Sequence, residues 1–304
     1  MDIRFDGRVA IVTGAGGGLG RSHALAFASR GARVVVNDLG ASVDGSGGSS
    51  DAAHEVVEMI RAQGGEAIAN GSSVTDRAGV ARLVSDAMEA FGRIDILVNN
   101  AGILRDKSFA KMSLDDFALV MDVHLMGAVN CTHAVWPIMR EQKYGRIVMT
   151  SSSTGLYGNF GQTNYGAAKL AQVGFMNTLK LEGAKDNIHT NAIVPIATTR
   201  MTEALFPPQL LELFRPELVS PAVLFLASEG APNGAILCAG AGHYASARIV
   251  ESEGMTFGAD VEVEDIAANW SKIADLRGAE PFEMGGKQTE KFAMKALEAA
   301  RKRG

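Results

Sequence analysis

The chain has 304 residues and a mass of 31.9 kDa, which suits one large domain with an extension better than two full domains. Hydrophobic residues at 47% and charged residues at 21% are typical of a packed globular core. A net charge of -5 and a pI near 5.7 offer no basic surface to a nucleic-acid backbone. No apolar run approaches the roughly 20 residues that cross a bilayer. We therefore expect neither nucleic acid nor a membrane as a partner.

Neither the cysteines nor the histidines predict a metal site. Cys131 and Cys238 lack CxxC spacing and have no histidine cluster beside them, so we interpret both as small buried hydrophobes. One histidine, His124, is considered below. The other five are scattered and are interpreted as surface or core residues: His23, His54, His133, His189 and His243.

Strand and helix patterns alternate along the chain. The first unit is an apolar strand at 8–13, a glycine-rich turn and a helix at 19–30. Further strands are predicted at 33–38, 66–69, 94–98, 146–150, 189–194 and 235–238. The helices between them are predicted at 50–63, 75–91, 113–142 and 163–185.

Continuous Val, Ile and Leu in these strands predict a sheet that helices cover on both faces. Right-handed crossovers between such strands make the sheet parallel. The sequence therefore predicts a single doubly wound, Rossmann-like α/β sheet of seven strands within residues 1–240. Residues 241–304 are predicted to be a C-terminal extension with helices at 263–276 and 289–302, and the Gly/Ser-rich loop at 40–50 is predicted to be exposed and mobile.

A glycine-rich turn joins the first strand to the first helix, with Leu19 inside it. Gly14 permits a tight turn, Gly18 lets the backbone approach a pyrophosphate, and Gly20 allows close helix packing. The helix N-terminus offers N–H groups to anionic oxygen. Because ligands of doubly wound sheets lie beyond the carboxyl ends of the strands, this turn predicts a dinucleotide site there.

Asp38 closes the second strand, 18 residues after Gly20. A carboxylate at this position accepts hydrogen bonds from the adenosine ribose hydroxyls and repels a 2′-phosphate. Neither Gly17 nor the residues just after Asp38 supply a cation for that phosphate. NAD is therefore favoured over NADP, although a turn aspartate with purely local hydrogen bonds is the alternative.

The pair Tyr165 and Lys169 is spaced by four residues, which places the phenol and the ammonium on one helix face. A nearby cation stabilises a phenolate, so Lys169, together with the positive ring of NAD⁺, is expected to lower the pKa of Tyr165 and make it an acid/base group. Ser152 follows the fifth strand, where its hydroxyl can hydrogen-bond a substrate oxygen.

With these features in order, the sequence resembles the short-chain dehydrogenase/reductase family. The resemblance implies hydride transfer at nicotinamide, with Tyr165 as acid/base, Lys169 on the nicotinamide ribose and Ser152 orienting the reacting oxygen. It further implies a cofactor-binding set along the adenosine: Ser73, Val74, Asn100, Ala101 and Gly102. Val74 is expected under the adenine ring.

Within that family the chain resembles the (3R)-hydroxyacyl-CoA dehydrogenase domains of peroxisomal type 2 multifunctional enzymes. The matching segments are Val35-Val-Asn-Asp-Leu-Gly40, Gly92-Arg-Ile-Asp95, Asn99-Asn-Ala-Gly-Ile-Leu-Arg-Asp106, Tyr144-Gly-Arg-Ile147 and Tyr157-Gly-Asn-Phe-Gly-Gln162.

Two positions depart from the wider family. His124 stands where most members have a water-holding asparagine, so it is expected either to relay protons or to pack in its helix. The usual Pro-Gly after the sixth strand is Pro195-Ile196, and Ile196, Thr198 and Thr199 are expected near the nicotinamide carboxamide.

The substrate is expected to be large and apolar. Tyr157, Phe160 and Leu104 are predicted to line the mouth of the pocket, under a lid at 202–214 that carries Leu205, Phe206, Leu210, Leu211 and Phe214. Simple packing of each residue on the core is the alternative. The leading hypothesis is a 3-hydroxyacyl-CoA or hydroxysteroid-type substrate. The alternatives are a 3-oxoacyl-(acyl-carrier-protein) reductase and a non-catalytic NAD-binding scaffold.

The resemblance also implies pairing of subunits through the long helices at 113–142 and 163–185, so a homodimer or homotetramer is expected. The first residues lack the apolar stretch of a secretory signal, and the chain ends in Lys-Arg-Gly rather than a peroxisomal tripeptide. Both observations favour a cytoplasmic location.

Overall fold

One sheet of eight strands organises the chain in the computed structural model, which describes residues 2–49, 51–199 and 207–301. The strand order is β3-β2-β1-β4-β5-β6-β7-β8. The strands are β1 (Val9–Thr13), β2 (Arg33–Asn37), β3 (Ala67–Asn70), β4 (Ile96–Asn99), β5 (Gly145–Thr150), β6 (Ile188–Ile196), β7 (Ile236–Gly240) and β8 (His243–Ala247). The pairs from β3 through to β7 are parallel.

Helices fill the connections and cover both faces of this sheet. They are α1 (Gly18–Ser29), α2 (Asp51–Ala62), α3 (Arg77–Phe91), α4 (Leu114–Met121), α5 (Gly127–Gln142), α6 (Ser153–Tyr157), α7 (Thr163–Gly183), α8 (Pro208–Leu211) and α9 (Ser220–Leu226). Two further helices come later in the chain, α10 (Val263–Ile273) and α11 (Gly285–Arg301). The doubly wound α/β fold that the apolar strands predict is confirmed.

Burial on both faces explains why the strand residues are continuously apolar. All five residues of β1 are buried, as are all four of β4 and all six of β5. Side chains of a strand point alternately to its two faces, so a strand without an exposed position must be covered on both. The core of this layer includes Val12, Val36 and Val98, one from each of three neighbouring strands.

The strand order reverses between β1 and β4, and this reversal locates the cleft. From β1 the chain crosses to β2 and β3 on one side, then returns to β4 on the other. Val12 lies level with Val98, and Thr13 with Asn37, so the carboxyl ends of β1, β2 and β4 finish at one edge. Crossovers that diverge on either side of such a point leave a crevice for a ligand.

The predicted helix at 113–142 is interrupted, which the sequence pattern did not reveal. Between α4 and α5 the residues Asp122–Met126 form a π-helical turn. Its carbonyl at His124 accepts a hydrogen bond of 2.6 Å from the buried Gln172 Nε2. A π turn changes the angular position of the residues that follow it, and such turns occur often at functional sites.

The stretch Leu114–Gln142 is long and apolar enough, by length and composition alone, to cross a membrane, with a mean hydropathy of 1.2. In the fold, its second half packs against β4 and β5. Cys131, Val135 and Met139 are buried on that side. The second half, α5, is therefore a core helix of the α/β layer.

The sheet has one more strand than the seven that the sequence predicts. β7 and β8 are separated by two residues only, Ala241 and Gly242, both with positive φ. This is the two-residue turn that reverses a chain into a hairpin, so β8 runs antiparallel to β7. His243 and Tyr244 are exposed, and the lack of a buried apolar pattern hid this edge strand from sequence reasoning.

The chain divides into two compact units, 1–246 and 247–304. The first holds the sheet apart from the last residue of β8. The second holds α10, α11 and an isolated antiparallel bridge between Glu251 and Glu280. The bounds of α10 and α11 agree within a few residues with the helices predicted at 263–276 and 289–302. The described residues of α10 and α11 include none that is buried within the chain.

A buried carboxylate ties β4 to the start of β1. Asp95 is fully buried and accepts hydrogen bonds from Arg8 at 2.9 Å and from Arg93 at 2.6 and 2.7 Å. Its second oxygen also accepts from the Val9 backbone N–H at 3.0 Å. Since a buried charge is costly unless its partners are complete, removal of this carboxylate leaves two cations and a backbone donor unpaired.

Replacing Asp95 by Ala is expected to lower the free energy of unfolding by about 3–5 kcal/mol, because it breaks a buried ion pair from one side. Urea denaturation followed by circular dichroism measures this loss. The control is Glu58→Ala, which removes an exposed ion pair with Arg61 and should cost under about 1 kcal/mol. Equal losses in the two variants would contradict the importance of Asp95.

Candidate active site

A cavity of about 510 Å³ opens at the carboxyl edge of the sheet. Its lining comes from the ends of β1, β2, β4, β5 and β6 and from α7. Its volume is within the range of small-molecule and cofactor sites. The predicted residues that line it are Gly14, Gly18, Leu19, Gly20, Asp38, Ser73, Val74, Asn100, Ala101, Gly102, Leu104, His124, Ser152, Tyr165, Lys169, Ile196 and Thr199.

The glycine turn has no room for side chains at its critical positions. A Cβ on Gly14, which has a φ of +64°, would lie 2.8 Å from Ala101 Cα. A Cβ on Gly20 would lie 2.2 Å from the Gly14 carbonyl oxygen. The first residue before α1, Gly17, supplies no side-chain cap to the helix. The turn therefore leaves bare backbone and open N–H groups beside the cavity, a cradle that fits the pyrophosphate of a dinucleotide.

Thr13 and Asn100 lock this turn to the end of β4. The Thr13 hydroxyl accepts hydrogen bonds from the backbone N–H groups of Asn100 and Ala101, at 3.0 and 3.1 Å. The Asn100 side-chain amide donates to the carbonyls of Thr13 and Gly14, at 2.9 and 3.1 Å. The side-chain amide nitrogen of Asn100 is thus hydrogen-bonded to the glycine turn, and Asn100 positions that turn.

Asp38 has local backbone partners as well as a place in the cavity wall. One carboxylate oxygen accepts from Gly16 N–H at 2.7 Å and the other from Gly40 N–H at 2.6 Å. A Cβ on Gly16 would lie 2.8 Å from Asp38 Cγ. The carboxylate keeps further lone pairs, so the two roles that the sequence left as alternatives are compatible: Asp38 orders the turn and presents negative charge to the cavity.

Ser73 and Val74 follow β3 and border the same side of the cavity as Asp38. Val74 is buried, and its carbonyl accepts from Asn130 Nδ2 at 3.0 Å. The Ser73 hydroxyl is hydrogen-bonded to the Thr75 hydroxyl at 2.9 Å. An apolar side chain at this place suits the flat face of an adenine ring.

Ser152, Tyr165 and Lys169 meet at the opposite end of the cavity. Ser152 caps α6, and its hydroxyl accepts from Thr154 N–H at 3.1 Å. The Ser152 hydroxyl lies close enough to the Tyr165 phenol to favour its ionised form. The Lys169 ammonium lies 5.5 Å from the centre of the Tyr165 ring and donates to the Thr150 carbonyl at 2.6 Å. The three groups form one compact polar cluster.

Burial sets the electrostatics of this cluster. It raises the pKa of Tyr165 above the ordinary value, against the opposing effect of the nearby Ser152 hydroxyl. It lowers the pKa of Lys169 to about 7. In the protein by itself the pKa of Tyr165 is therefore not lowered, because desolvation disfavours the phenolate and also removes much of the ammonium charge at neutral pH. The expected lowering by Lys169 and the positive ring of NAD⁺ together stays a prediction for the complex.

His124 is buried and packs between the active-site tyrosine and a glycine. Its ring meets the Tyr165 ring edge to face, with 5.1 Å between the centroids. A Cβ on Gly102 would lie 2.2 Å from His124 Cε1, so only glycine fits there. The Nε2 atom of His124 lies 2.8 Å from the Ile103 carbonyl oxygen and 3.1 Å from the Ile103 backbone nitrogen. Burial and the Lys169 charge hold the pKa of His124 well below its usual value, so the imidazole is neutral.

Residues 8–209 match the family model described as short chain dehydrogenase. The chain belongs to the short-chain dehydrogenase family. Its members use nicotinamide cofactors, and the protein is an oxidoreductase that acts on CH–OH groups. The expected family is thereby confirmed, and the non-catalytic alternative is set aside.

Two relatives are similar over most of this short-chain dehydrogenase. A Mycobacterium tuberculosis protein that carries the name short-chain type dehydrogenase/reductase is 50% identical over 273 residues, which are 90% of this chain and 96% of that protein. Peroxisomal multifunctional enzyme type 2 of Drosophila melanogaster is 48% identical over 282 residues, which are 91% of this chain. These cover 47% of the Drosophila enzyme, so this chain spans about half of it.

Solved structures agree with this relationship. The full-length Drosophila melanogaster multifunctional enzyme type 2 superposes with a TM-score of 0.82 and 40% identity, over 99% of this chain and 50% of that one. A 7α-hydroxysteroid dehydrogenase complexed with NADH and 7-oxo glycochenodeoxycholic acid gives a TM-score of 0.71 and 30% identity, over 79% of this chain and 95% of that one.

A polar network beside the catalytic cluster escaped the sequence analysis. Gln162, which precedes α7, donates to Asp106 at 2.6 Å through Nε2. The side-chain amide oxygen of Gln162, Oε1, accepts from the Thr154 hydroxyl at 2.9 Å and from Asn159 Nδ2 at 3.1 Å. Gln162 thus joins the segment after β4 to the segments that carry Ser152 and Tyr165. Only its place three residues before the tyrosine pointed to it.

The predicted substrate mouth is only partly assembled in this short-chain dehydrogenase. Leu104 lines the cavity, whereas Tyr157 and Phe160 do not and are 75% and 90% exposed. Both lie at or after the end of α6, on a glycine-rich bend that turns them to the surface. Of the predicted lid, Leu205 and Phe206 lie outside the described residues. Leu210, Leu211 and Phe214 are in the segment at α8 and just after it.

Of the residues predicted to bind the cofactor at the end of β6 and just after it, two line the cavity and one does not. Ile196 and Thr199 line the cavity, as expected. Thr198 does not, since its N–H donates to the Phe214 carbonyl at 2.6 Å and its hydroxyl to the Leu211 carbonyl at 3.3 Å. Thr198 therefore holds the segment after α8 rather than facing a cofactor. Among the described residues, no group of three or more His, Cys, Asp or Glu is arranged to hold a metal ion.

Replacing Lys169 by Met should change how stability depends on pH in the cofactor-free protein. The folded protein releases the Lys169 proton near pH 7, whereas the unfolded chain keeps it to about pH 10.4. In that interval the unfolded state binds more protons, so folding becomes more favourable as pH rises. The wild-type free energy of unfolding, relative to the variant, is expected to rise by up to about 1.4 kcal/mol per pH unit from pH 7 to 9.

Urea titrations at several pH values measure this slope. The exposed Lys185→Met is the matched control and should follow the wild-type pH dependence. A wild-type curve parallel to that of Lys169→Met would show that the ammonium keeps its full charge in the folded protein.

Proposed function

We propose that this short-chain dehydrogenase is NAD-dependent and interconverts a secondary alcohol and a ketone on a large apolar substrate. The substrate class that we propose is a 3-hydroxyacyl-CoA. One observation carries the oxidoreductase chemistry: Ser152, Tyr165 and Lys169 share a single cavity with the glycine turn. The choice of acyl-CoA is supported by 48% identity to the Drosophila multifunctional enzyme along 91% of this chain.

The cavity residues divide the work of the reaction. A nicotinamide bound there supplies the hydride acceptor or donor. The Tyr165 hydroxyl moves a proton to or from the substrate oxygen, and the Ser152 hydroxyl, which lines the same cavity, holds that oxygen in place. Lys169, fixed on the Thr150 carbonyl at 2.6 Å, supplies positive charge near the phenol whenever it is protonated.

A hydroxysteroid is the second candidate substrate. It is favoured by the superposition on the 7α-hydroxysteroid dehydrogenase at a TM-score of 0.71. Identity to that enzyme is 30%, lower than to the multifunctional enzyme. A 3-oxoacyl-(acyl-carrier-protein) reductase is less well supported, because the negative charge of Asp38 opposes the 2′-phosphate of NADPH.

Homodimer or homotetramer formation and a cytoplasmic location stay predictions. The oligomer is supported by large apolar side chains that the described residues leave exposed on α4, on the π turn and on α7: Leu114, Leu119, Met126, Leu170 and Leu181. Apolar helix surface is commonly covered by another subunit in an oligomer.

Steady-state assays with NAD⁺, followed at the nicotinamide absorbance, test the substrate class. We expect turnover of (3R)-3-hydroxyacyl-CoA thioesters to exceed that of hydroxysteroids. Tyr165→Phe should bind NADH as the wild type does and lose turnover by at least about a hundredfold, because the proton-transfer group is gone. Full turnover by this variant would refute the role of Tyr165, and inactivity of the wild type on both classes would refute the proposed substrates.

Asp38→Asn is expected to weaken the preference for NAD over NADP by roughly tenfold or more, because it removes the like charge that faces a 2′-phosphate. The measurement is the ratio of kcat/KM for the two cofactors. Glu58→Gln removes an exposed carboxylate from α2 and should leave the ratio unchanged. An unchanged ratio in Asp38→Asn would limit Asp38 to ordering the glycine turn.

A further inference from the structure

The loop at 40–49, which the sequence indicates only as exposed and mobile, forms a wall of the cavity. Ala41, Ser42, Val43 and Gly45 all line it, directly after Asp38. The loop is closed on itself by hydrogen bonds of 2.9 Å from Ser42 N–H to Ser46 O and from Ser49 N–H to Leu39 O. It is therefore an ordered element beside the expected adenosine site.

This loop is fastened to the segment after β4. Leu104 N–H donates to the Val43 carbonyl at 3.0 Å. A Cβ on Gly45 would lie 3.3 Å from Ile103, which shows how closely the two segments pack. The Arg105 side chain adds the third contact, since its Nε donates to the Asp44 carbonyl at 2.7 Å.

Arg105 also reaches the catalytic side. Its Nη1 pairs with Asp116 of α4 at 3.3 Å, and its backbone carbonyl accepts from Asn164 Nδ2 at 3.1 Å. Asn164 immediately precedes Tyr165 and is fully buried. One residue therefore contacts the cofactor-side loop, the helix α4 and the helix that carries the acid/base tyrosine.

We infer that Arg105 is a positioning residue that holds the 40–49 loop closed over the adenosine half of the bound dinucleotide. This inference rests on the proposed NAD dependence. The planar guanidinium suits the task because Nε serves the loop carbonyl while Nη1 serves the Asp116 carboxylate in a fixed fork. A loop fastened in this way slows cofactor release without touching the reacting atoms.

Lys107 provides a matched control. It pairs with the same carboxylate, Asp116, at 3.1 Å. Its side chain has no hydrogen bond to the 40–49 loop among the described contacts, and it does not line the cavity. Lys107→Met therefore removes a comparable ion pair and leaves the loop contact intact.

The test is NADH binding to the full chain, measured by fluorescence titration and by stopped-flow displacement. Arg105→Met is expected to raise the NADH dissociation rate and Kd by roughly tenfold, the size of one charge-assisted hydrogen bond. Hydrogen exchange at the amides of Ser46 and Ser49 should quicken in the same variant. In assays, KM for NAD⁺ should rise while kcat at saturating NAD⁺ stays within about twofold of wild type.

Arg105→Lys keeps a charge opposite Asp116 but has no Nε–H for the Asp44 carbonyl, so it should shift NADH release in the same direction. This variant also serves if the Met variant folds poorly. Unchanged NADH release in both variants would overturn the inference, as would equal effects of Arg105→Met and Lys107→Met. Failure of the unaltered chain to bind NADH would refute the proposed function itself, and the inference with it.

Discussion

Burying a lysine ammonium is costly, and Lys169 is buried in the wall of the cavity. Its single hydrogen bond to the Thr150 carbonyl does not replace a hydration shell, so burial lowers its pKa to about 7. The rest of the site depends on this cost. A protonation equilibrium near neutrality makes the charge beside Tyr165 responsive to any further charge that enters the cavity, while β5 and α7 keep the distance between the two groups fixed.

Several buried polar atoms around this cluster support the same view. His124 Nδ1, Thr150 Oγ1 and Gln172 Oε1 have no hydrogen-bond partner among the protein atoms described. Buried groups of this kind are usually satisfied by ordered water. They come from the π turn, from β5 and from α7, and His124 and Thr150 also line the cavity, so further polar atoms lie beside the cluster.

The apolar strands and the chemistry at their carboxyl ends were predictable from sequence because both leave strong local patterns. β1, β4 and β5 are buried on both faces, and the glycine turn and the Tyr165–Lys169 spacing are short-range features. What sequence reasoning missed depends on contacts distant in the chain. The π turn is stabilised by Gln172, and Gln162 is held by Asp106. The strand β8 is local, but its exposed residues carry no apolar pattern that predicts a strand. Tyr157 and Phe160 are predicted at the mouth of the pocket, but their apolar character does not determine which way the chain turns their side chains.

The hydrogen bonds of the Thr13 hydroxyl fix the glycine turn before a ligand binds. The hydroxyl accepts from two N–H groups at the end of β4 and donates to the Val98 carbonyl at 3.3 Å, so the glycine turn shares its hydrogen bonds with the neighbouring strand. Such a turn is preorganised: its conformational entropy is lost during folding and not at the moment of association. The interaction energy of an incoming anion then contributes to affinity instead of being consumed in ordering glycines.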